Sequence, residues 1–550
     1  MEYCASCPPI PKRPFLLFLI LCVLLSQSVI ATPGIWSGYV LHSGSYFSDF
    51  FTETHPSLRS NETPVSPVKR GMDDGRPLDV VLDEFDQYLD GIARRNLTPG
   101  MAVAVVHGND TVYTRCLGVK RIGYPDPIDE DTVFQIGSNS KPITGAVIAR
   151  LVDRGVVDWD DRVALYYPGF ALHDTYAGEH LTFRDALSHR SGLPSHAGGE
   201  LMVPFCYEAP EILHRIRYLE PATEFRTAYE YQNVMYLLAG EAAAKAAGKD
   251  WPDLAADEVF IPLGMNSTSA RFVDFISAEN RAWNYWDNNG TFEEIDPLNY
   301  DAMSPAGGVS STLRDMARWV LFQVGDGGIE GELLLSPGVF AETHALQTVI
   351  SSSDTYVSGY TLGWFYSFLE DGLILDHGGS ATSSTSYVMI MPKEKIGIVV
   401  LCNKGISHSL PMAVCYTFRE MYLHGTPRVD LYEAFRTTID PSFHEIQPLD
   451  ALPDPHEGAL PPLPLRQYEG AYHSDYYGRI WVEQSGEGLN LYTGANPVPF
   501  NLSPWEGNTF REESSYTAVN FTVEADGNAS AVLIGMLHFN MRNGTFVRVQ

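Results

Sequence analysis

The feature that most constrains this chain is a pair of strand couples set far apart. Met101-Ala102-Val103-Ala104-Val105-Val106 and Thr111-Val112-Tyr113-Thr114-Arg115-Cys116 flank His107-Gly108-Asn109-Asp110, which reads as a β-hairpin. Much later, Ser384 to Met391 and Ile396 to Leu401 flank Pro392-Lys393-Glu394-Lys395 in the same way. Helical patterns dominate between them, to about residue 350. A continuous apolar strand needs cover on both faces. Strands at both ends enclosing helices therefore predict one sheet closed by the two ends of a single α/β (α+β) domain, with a helical lobe. A helical pattern at Leu78, Val81, Leu82, Phe85, Tyr88, Leu89 and Ile92 precedes the first couple, and another, Met412 to Tyr422, follows the second.

Composition shifts mark the remaining segments. Lys12 and Arg13, the apolar run Phe15 to Leu25, and small Val29 and Ala31 read as a secretory signal over 1–31, cleaved after Ala31. Residues 32–75, rich in Ser, Thr, Pro and Gly, read as a poorly ordered lead, and 76–425 as the main domain. Eight prolines over 426–465 read as a linker. Short strands and turns over 466–550 predict a small all-β domain, a barrel or a sandwich.

Nine Asn-x-Ser/Thr sites, at Asn61, Asn96, Asn109, Asn266, Asn289, Asn501, Asn520, Asn528 and Asn543, fit a glycosylated, secreted protein. Cys4, Cys7 and Cys22 would leave with the signal. Cys116, Cys206, Cys402 and Cys415 would remain, enough for two disulfides in three possible pairings, or for free buried thiols. A net charge of -31 disfavours nucleic acid and anionic membranes as partners. No segment after the signal is long and apolar enough to span a bilayer. Neither composition nor spacing speaks to oligomeric state.

The chemistry concentrates at Ser138-Asn139-Ser140-Lys141. It follows a strand-like run, Thr132 to Gly137, and opens a helix-like one, Pro142 to Val152. Three-residue spacing at a helix start puts Ser138 and Lys141 on one face. Helix-start N–H groups could stabilise an oxyanion there, and a desolvated lysine could handle the hydroxyl proton. Three further stretches stand out: Leu187-Ser188-His189-Arg190-Ser191-Gly192-Leu193-Pro194, a turn after a helix; Tyr229-Glu230-Tyr231-Gln232-Asn233, before an apolar helix; and His377-Gly378-Gly379-Ser380, leading into the late strand couple.

In order, Ser-x-x-Lys, Tyr-x-Asn and His-x-Gly resemble the three active-site motifs of the serine β-lactamase and penicillin-binding-protein superfamily. They are most similar to its class-C-like branch of D-aminopeptidases, esterases and acyltransferases. Phe134 to Ser138, Leu187 to Pro194, Pro305 to Thr312 and Gly359 to Trp364 resemble further stretches of that family, over about 76–425. The last 85 residues look like the small barrel domain appended to some members. The resemblance implies a β-lactamase/transpeptidase-like fold and a Ser138 acyl-enzyme. Lys141 would relay the proton and Tyr231 would act as a phenolate-like base, the acylation base staying open between such groups. Asn233 would bond the substrate amide or Lys141. His377, Gly379 and Ser380 would line the substrate, and the N–H groups of Ser138 and Ser380 would form the oxyanion hole. His189 reads as a structural histidine held by backbone groups.

Two departures carry information. Tyr-x-Asn, rather than Ser-x-Asn, separates the chain from class A enzymes. His377 stands where β-lactam-reactive relatives carry lysine, and a neutral imidazole offers less to a carboxylate. The expected activity is hydrolysis of an amide or ester by a secreted serine enzyme acting on a small molecule or short peptide. The alternatives are acyl transfer from the same intermediate and a non-catalytic binding protein. No metal or organic cofactor is implied.

Overall fold

The structure, a computed structural model, describes residues 76–549 except 289, 383, 406, 426, 428, 440–451 and 539–541. The signal, the lead segment and Asn61 lie outside the described residues, as does Asn289.

The elements that position the site run as follows. Helix α1 is Leu78–Arg95, strand β1 Gly100–His107, β2 Asp110–Gly118, β3 Phe134–Gln135 and α2 Ser140–Asp153. Then come α3 (Phe183–Leu187), α4 (Asn233–Ala247), α5 (Ser304–Gly307), β4 (Ser310–Ser311) and α6 (Leu313–Val324). Strands β5 (Thr348–Ser352), β6 (Val357–Tyr360), β7 (Phe365–Leu369), β8 (Gly372–Ala381), β9 (Ser384–Met391) and β10 (Ile396–Cys402) lead to α7 (Ser409–Leu423) and α8 (Leu431–Ile439).

The described residues form one eight-stranded sheet in the order β2-β1-β10-β9-β8-β7-β6-β5. β1 pairs with both its hairpin partner and β10, Met101 opposite Cys402 and His107 opposite Ile396. The early and late couples thus share a seam. Alternation explains why these strands read as unbroken apolar runs. Ala102, Ala104 and Val106 enter one core with Val399 and Leu401; Met101, Val103 and Val105 enter the other with Ile398 and Val400. The second core is roofed by α1, through Val81, Phe85, Leu89 and Ile92, and by α7. Phe85 meets Phe418 edge-on, ring centroids 5.2 Å apart.

Four local expectations change. Of the strand-like run before Ser138, only Phe134–Gln135 is strand, paired with Ser310–Ser311, because the chain must turn sharply at Gly137. The span expected as linker contains α8: Leu431, Tyr432 and Phe435 share one helical face and are buried in the second core. The helical middle also holds a hairpin, Asn284–Asn288 with Thr291–Ile295. Finally, Cys116, Cys402 and Cys415 are free thiols, two of them buried. With three of the four expected cysteines free, none of the three pairings expected among them forms.

The C-terminal domain is a closed barrel, not a sandwich. Its strands are β11 (Gly470–Ser474), β12 (Gly478–Ser485), β13 (Gly488–Thr493), β14 (Phe500–Glu506), β15 (Thr509–Glu512), β16 (Ala518–Val523), β17 (Ala529–Ile534) and β18 (Thr545–Val549). β11 pairs with β18, which closes the ring and leaves no open edge. No helix among the described residues is long and apolar enough to cross a membrane.

Candidate active site

Ser138 sits on a 3₁₀ turn, Gly137–Asn139, that runs directly into α2. Two glycines let this turn press against β8. Gly137 has φ +54°, and a Cβ there would lie 2.6 Å from the Ser380 nitrogen. A Cβ on Gly379 would lie 1.9 Å from the Ile136 carbonyl oxygen. Hydrogen bonds fasten the turn from below. Ser386 Oγ donates to the Ile136 carbonyl at 2.7 Å, and Asn139 Nδ2 donates to Ser386 Oγ at 2.7 Å. Ser140 Oγ donates to the Gly137 carbonyl at 2.7 Å and accepts the Val309 N–H at 3.1 Å. Ser138 itself stays half-buried among fully buried neighbours, so it alone on this turn keeps solvent access.

Lys141, one helical turn on, is 0% exposed. Its Nζ lies 3.1 Å from Ser138 Oγ, 2.7 Å from Asn233 Oδ1 and 2.9 Å from the Ala306 carbonyl oxygen on α5. Burial lowers its pKa well below the ordinary lysine range. Two of these partners, Asn233 Oδ1 and the Ala306 carbonyl, are pure acceptors; the third, the Ser138 hydroxyl, can accept from Nζ or donate to it, so a proton can pass between the two. The Tyr231 ring centroid is 4.7 Å from Nζ and that of Tyr236 is 5.5 Å away.

Tyr231 and Asn233 arrive on the segment entering α4, and His189 fixes that segment. Its Nδ1 accepts the Gln232 N–H at 3.0 Å, and its carbonyl accepts the Glu230 N–H at 2.8 Å. The imidazole is buried, with ring centroids of Tyr231 and Tyr360 each 4.5 Å away. Burial, then the nearby Lys141, holds its pKa well below the usual range. His189 has φ +60°. Its turn is held by Asp185, which accepts from Arg190 Nε at 2.7 Å and Arg226 Nη2 at 2.7 Å.

His377 leads into the late couple as expected but is itself within a further strand, β8, where alternation points it to the Ser138 side of the sheet, opposite to Asp376. It is 1% exposed. Its Nδ1 lies 2.7 Å from the Gly378 carbonyl oxygen, which makes that nitrogen the donor, so Nε2 accepts the Tyr360 hydroxyl at 3.0 Å. Burial, reinforced by Lys141, pushes its pKa down to about 3. The ring centroid is 6.4 Å from that of Tyr231. The side chain is thus enclosed beside Tyr231 and Tyr360, with burial disfavouring its charged form.

Sequence reasoning missed Tyr236, Tyr360 and His196 as site neighbours. Tyr236 stands three residues after Asn233 on α4, a spacing that could have placed it on the same face. Tyr360 and His196 are brought in by pairing and loop packing, which leave no local pattern. Among the described residues, no group of three or more His, Cys, Asp or Glu could hold a metal ion.

With this geometry in place, the comparisons with known proteins are decisive for the fold and family. The Beta-lactamase family matches residues 85–412. The chain belongs to the beta-lactamase family. A domain of unknown function, DUF3471, matches residues 454–546, the barrel. An unguisins hydrolase of Aspergillus campestris is 26% identical over 456 residues, covering 77% of this chain and 81% of that protein. The D-alanyl-D-alanine-carboxypeptidase/endopeptidase AmpH of Escherichia coli K12 is 27% identical, covering 59% of this chain and 84% of that protein. The octameric penicillin-binding protein homologue from Pyrococcus abyssi superposes with a TM-score of 0.57 at 19% identity, covering 82% of this chain and 98% of that one. This likeness shows the fold. The protein is a serine hydrolase of the beta-lactamase family.

Proposed function

We propose that this beta-lactamase-family protein is a secreted enzyme that cleaves an amide or ester bond through an acyl-enzyme on Ser138. The observation that carries this is the 3.1 Å approach of a buried lysine amine to the Ser138 hydroxyl, with its two other partners both acceptors. Ser138 Oγ attacks the substrate carbonyl carbon while its proton passes to Lys141 Nζ. The developing oxyanion is held between the backbone N–H groups of Ser138 and Ser380, whose strand the Gly137 turn abuts. Collapse of the tetrahedral adduct breaks the C–N or C–O bond. The leaving amine or alcohol takes a proton from Lys141, with Tyr231 stationed beside Nζ to relay it. Water then repeats the sequence on the acyl group and frees Ser138. Asn233 has its oxygen engaged by Lys141, so it orients the base first and contacts substrate only through its remaining amide N–H bonds.

A neutral, enclosed His377 favours substrates whose recognition does not depend on a carboxylate at that wall. Small amides and esters, including short peptides, suit it better than β-lactams. The names of the two relatives, a hydrolase and a carboxypeptidase/endopeptidase, support hydrolysis over acyl transfer. Exposed Asn96, Asn109, Asn266, Asn501, Asn528 and Asn543 support glycosylation in the secretory pathway.

The test is a fluorophosphonate probe followed by peptide mapping. It runs beside a screen of D-amino-acid amides, short-chain esters and a chromogenic β-lactam. Adduct on the Ser138 peptide and ester or amide turnover are expected. Turnover that persists in Ser138→Ala would overturn the reading. Secretion is checked separately by N-terminal sequencing from a eukaryotic host, expected to begin near Thr32, and by a mass decrease on glycosidase treatment.

A further inference from the structure

The barrel meets the catalytic domain along the segment from Ser195 to Arg215, and the start of that segment is the wall behind Tyr231. On the domain side, the His196 N–H donates to the Tyr231 carbonyl at 2.8 Å, and Ser195 Oγ lies 3.4 Å from the same oxygen. The His196 and Tyr231 ring centroids are 5.0 Å apart. On the barrel side, Arg542 Nη2 donates to the Ser195 carbonyl at 3.3 Å, and Arg542 Nε lies 3.0 Å from Glu200 Oε1. Tyr476, in the turn between β11 and β12, donates its hydroxyl to that same glutamate oxygen at 2.5 Å and accepts the Gly198 N–H at 3.1 Å. An unbroken path of contacts therefore runs from two barrel residues, through Glu200, Gly198 and Ser195, to the backbone of Tyr231.

The polarity of this junction is the clue. The Arg542 and Glu200 side chains are both 0% exposed. A fully buried ion pair is a poor stabiliser, because desolvation offsets most of the attraction and an apolar pair of similar volume serves as well. Docking is already secured nearby. Phe205 stacks on Tyr477 with centroids 5.4 Å apart, and the Pro204 carbonyl accepts from Thr493 Oγ1 at 3.0 Å and Asn496 Nδ2 at 3.1 Å. What directional bonds add to such an interface is geometry. We propose that Arg542 and Tyr476 are positioning residues for the Ser138 reaction. The barrel holds the Ser195–Glu200 strip, and the strip holds Tyr231 beside the Lys141 amine. The barrel is then a working part of the active site rather than an appendage, although none of its residues touches the reacting atoms.

This inference rests on the acyl-enzyme reading of Ser138, and the experiment separates the two. The full-length protein is compared with Arg542→Met, Arg542→Lys and Tyr476→Phe. The readouts are the rate of fluorophosphonate labelling at Ser138, kcat and KM on a p-nitrophenyl ester, and the thermal melt. Arg542→Met should slow labelling and lower kcat by about ten- to a hundredfold, a fraction of the effect of losing proton transfer outright, with KM nearly unchanged. Tyr476→Phe should do the same by about three- to tenfold, the scale of one lost hydrogen bond. Arg542→Lys should recover much of the loss. A folded Arg542→Met that labels at the wild-type rate would overturn the proposal. If that variant does not fold, Tyr476→Phe decides, and a wild-type rate in it overturns the proposal equally. Absence of any Ser138 adduct in the wild type would instead strike the acyl-enzyme reading, and this inference with it.

Discussion

The barrel and the catalytic domain both bury polar groups, but to different ends. Inside the barrel, Tyr472 donates its hydroxyl to the Tyr468 carbonyl at 2.7 Å, Tyr477 donates to the Leu537 carbonyl at 2.7 Å, and Tyr468 donates to Asn508 Oδ1 at 2.7 Å. Even buried Glu512 is saturated by the Ser515 N–H and Oγ and by Ser514. Around Ser138 the buried groups are titratable: Lys141, His189 and His377 all have lowered pKa values, with burial as the first cause. Those barrel groups are paired with fixed donors or acceptors. At the serine, a buried amine is set instead against a half-buried hydroxyl, with which it can exchange a proton. The lesson is that burial alone does not mark a site; what the buried group is paired with does.

The sharpest way to break this contrast is to alter the serine pair. Ser138→Ala should lower turnover by at least about a thousandfold while leaving the thermal melt in place. Lys141→Met should cost about two to four powers of ten in acylation. The sign of the pH dependence follows from the lowered lysine pKa. Only the neutral amine accepts the serine proton, so kcat/KM should rise with pH through that pKa and fall below it. A rate that climbs on acidification would refute the neutral-amine assignment.

The reverse perturbation belongs in the barrel. Phe521, packed against Tyr468 with centroids 4.9 Å apart, lies in its interior. Phe521→Ala should cost about 3–5 kcal/mol of stability, read by denaturant melt. Where the protein remains folded, kcat should stay within about twofold. A large loss of kcat in fully folded Phe521→Ala would show that the barrel interior, and not just its Arg542 and Tyr476 contacts, tunes the site.

His377 offers a finer test. With its pKa near 3, it stays neutral across the working range. The ratio of kcat/KM for matched acidic and neutral substrates should therefore show no step attributable to it between about pH 5 and 8. His377→Lys would bury a second amine near Lys141, with an ammonium's desolvation cost if it stays charged, and should lower both activity and melting temperature. A gain on acidic substrates would mean the wall opens to solvent.

The smallest effect concerns Glu230, whose carboxyl is pushed up to about 7 by burial. A raised carboxyl pKa favours the folded state when protonated, and that contribution is lost as pH rises through about 7. Glu230→Gln should raise the melting temperature by about 1–2 °C at alkaline pH and by nothing in acid. An equal gain at both extremes would point to packing instead of charge.

Some of this molecule is legible in its residues. Ser138 and Lys141 sit three apart at a helix start, so local periodicity alone puts them together. Gly137 and Gly379 are visible as glycines, but their reason, mutual close approach of the serine turn and β8, is not. The burial of His377 was not legible either. A histidine beside two glycines reads as a turn until strand pairing shows it facing Tyr360. Helix α8 was obscured because the prolines around it dominate the composition of its segment, while its own Leu431, Tyr432 and Phe435 need α7 beside them to matter.

By itself the sequence determined the strand couples, the helix that carries Lys141 and the alternating segments of the C-terminal domain. These rest on period-2 and period-3.6 patterning, which is local. Only the tertiary structure decided that β11 and β18 meet to close the barrel, that Ala306 offers its carbonyl to Lys141, and that Arg542 reaches Glu200. Each of these joins groups far apart along the chain. Whether such groups meet is settled by the packing of whole elements, and no short window of residues carries that information.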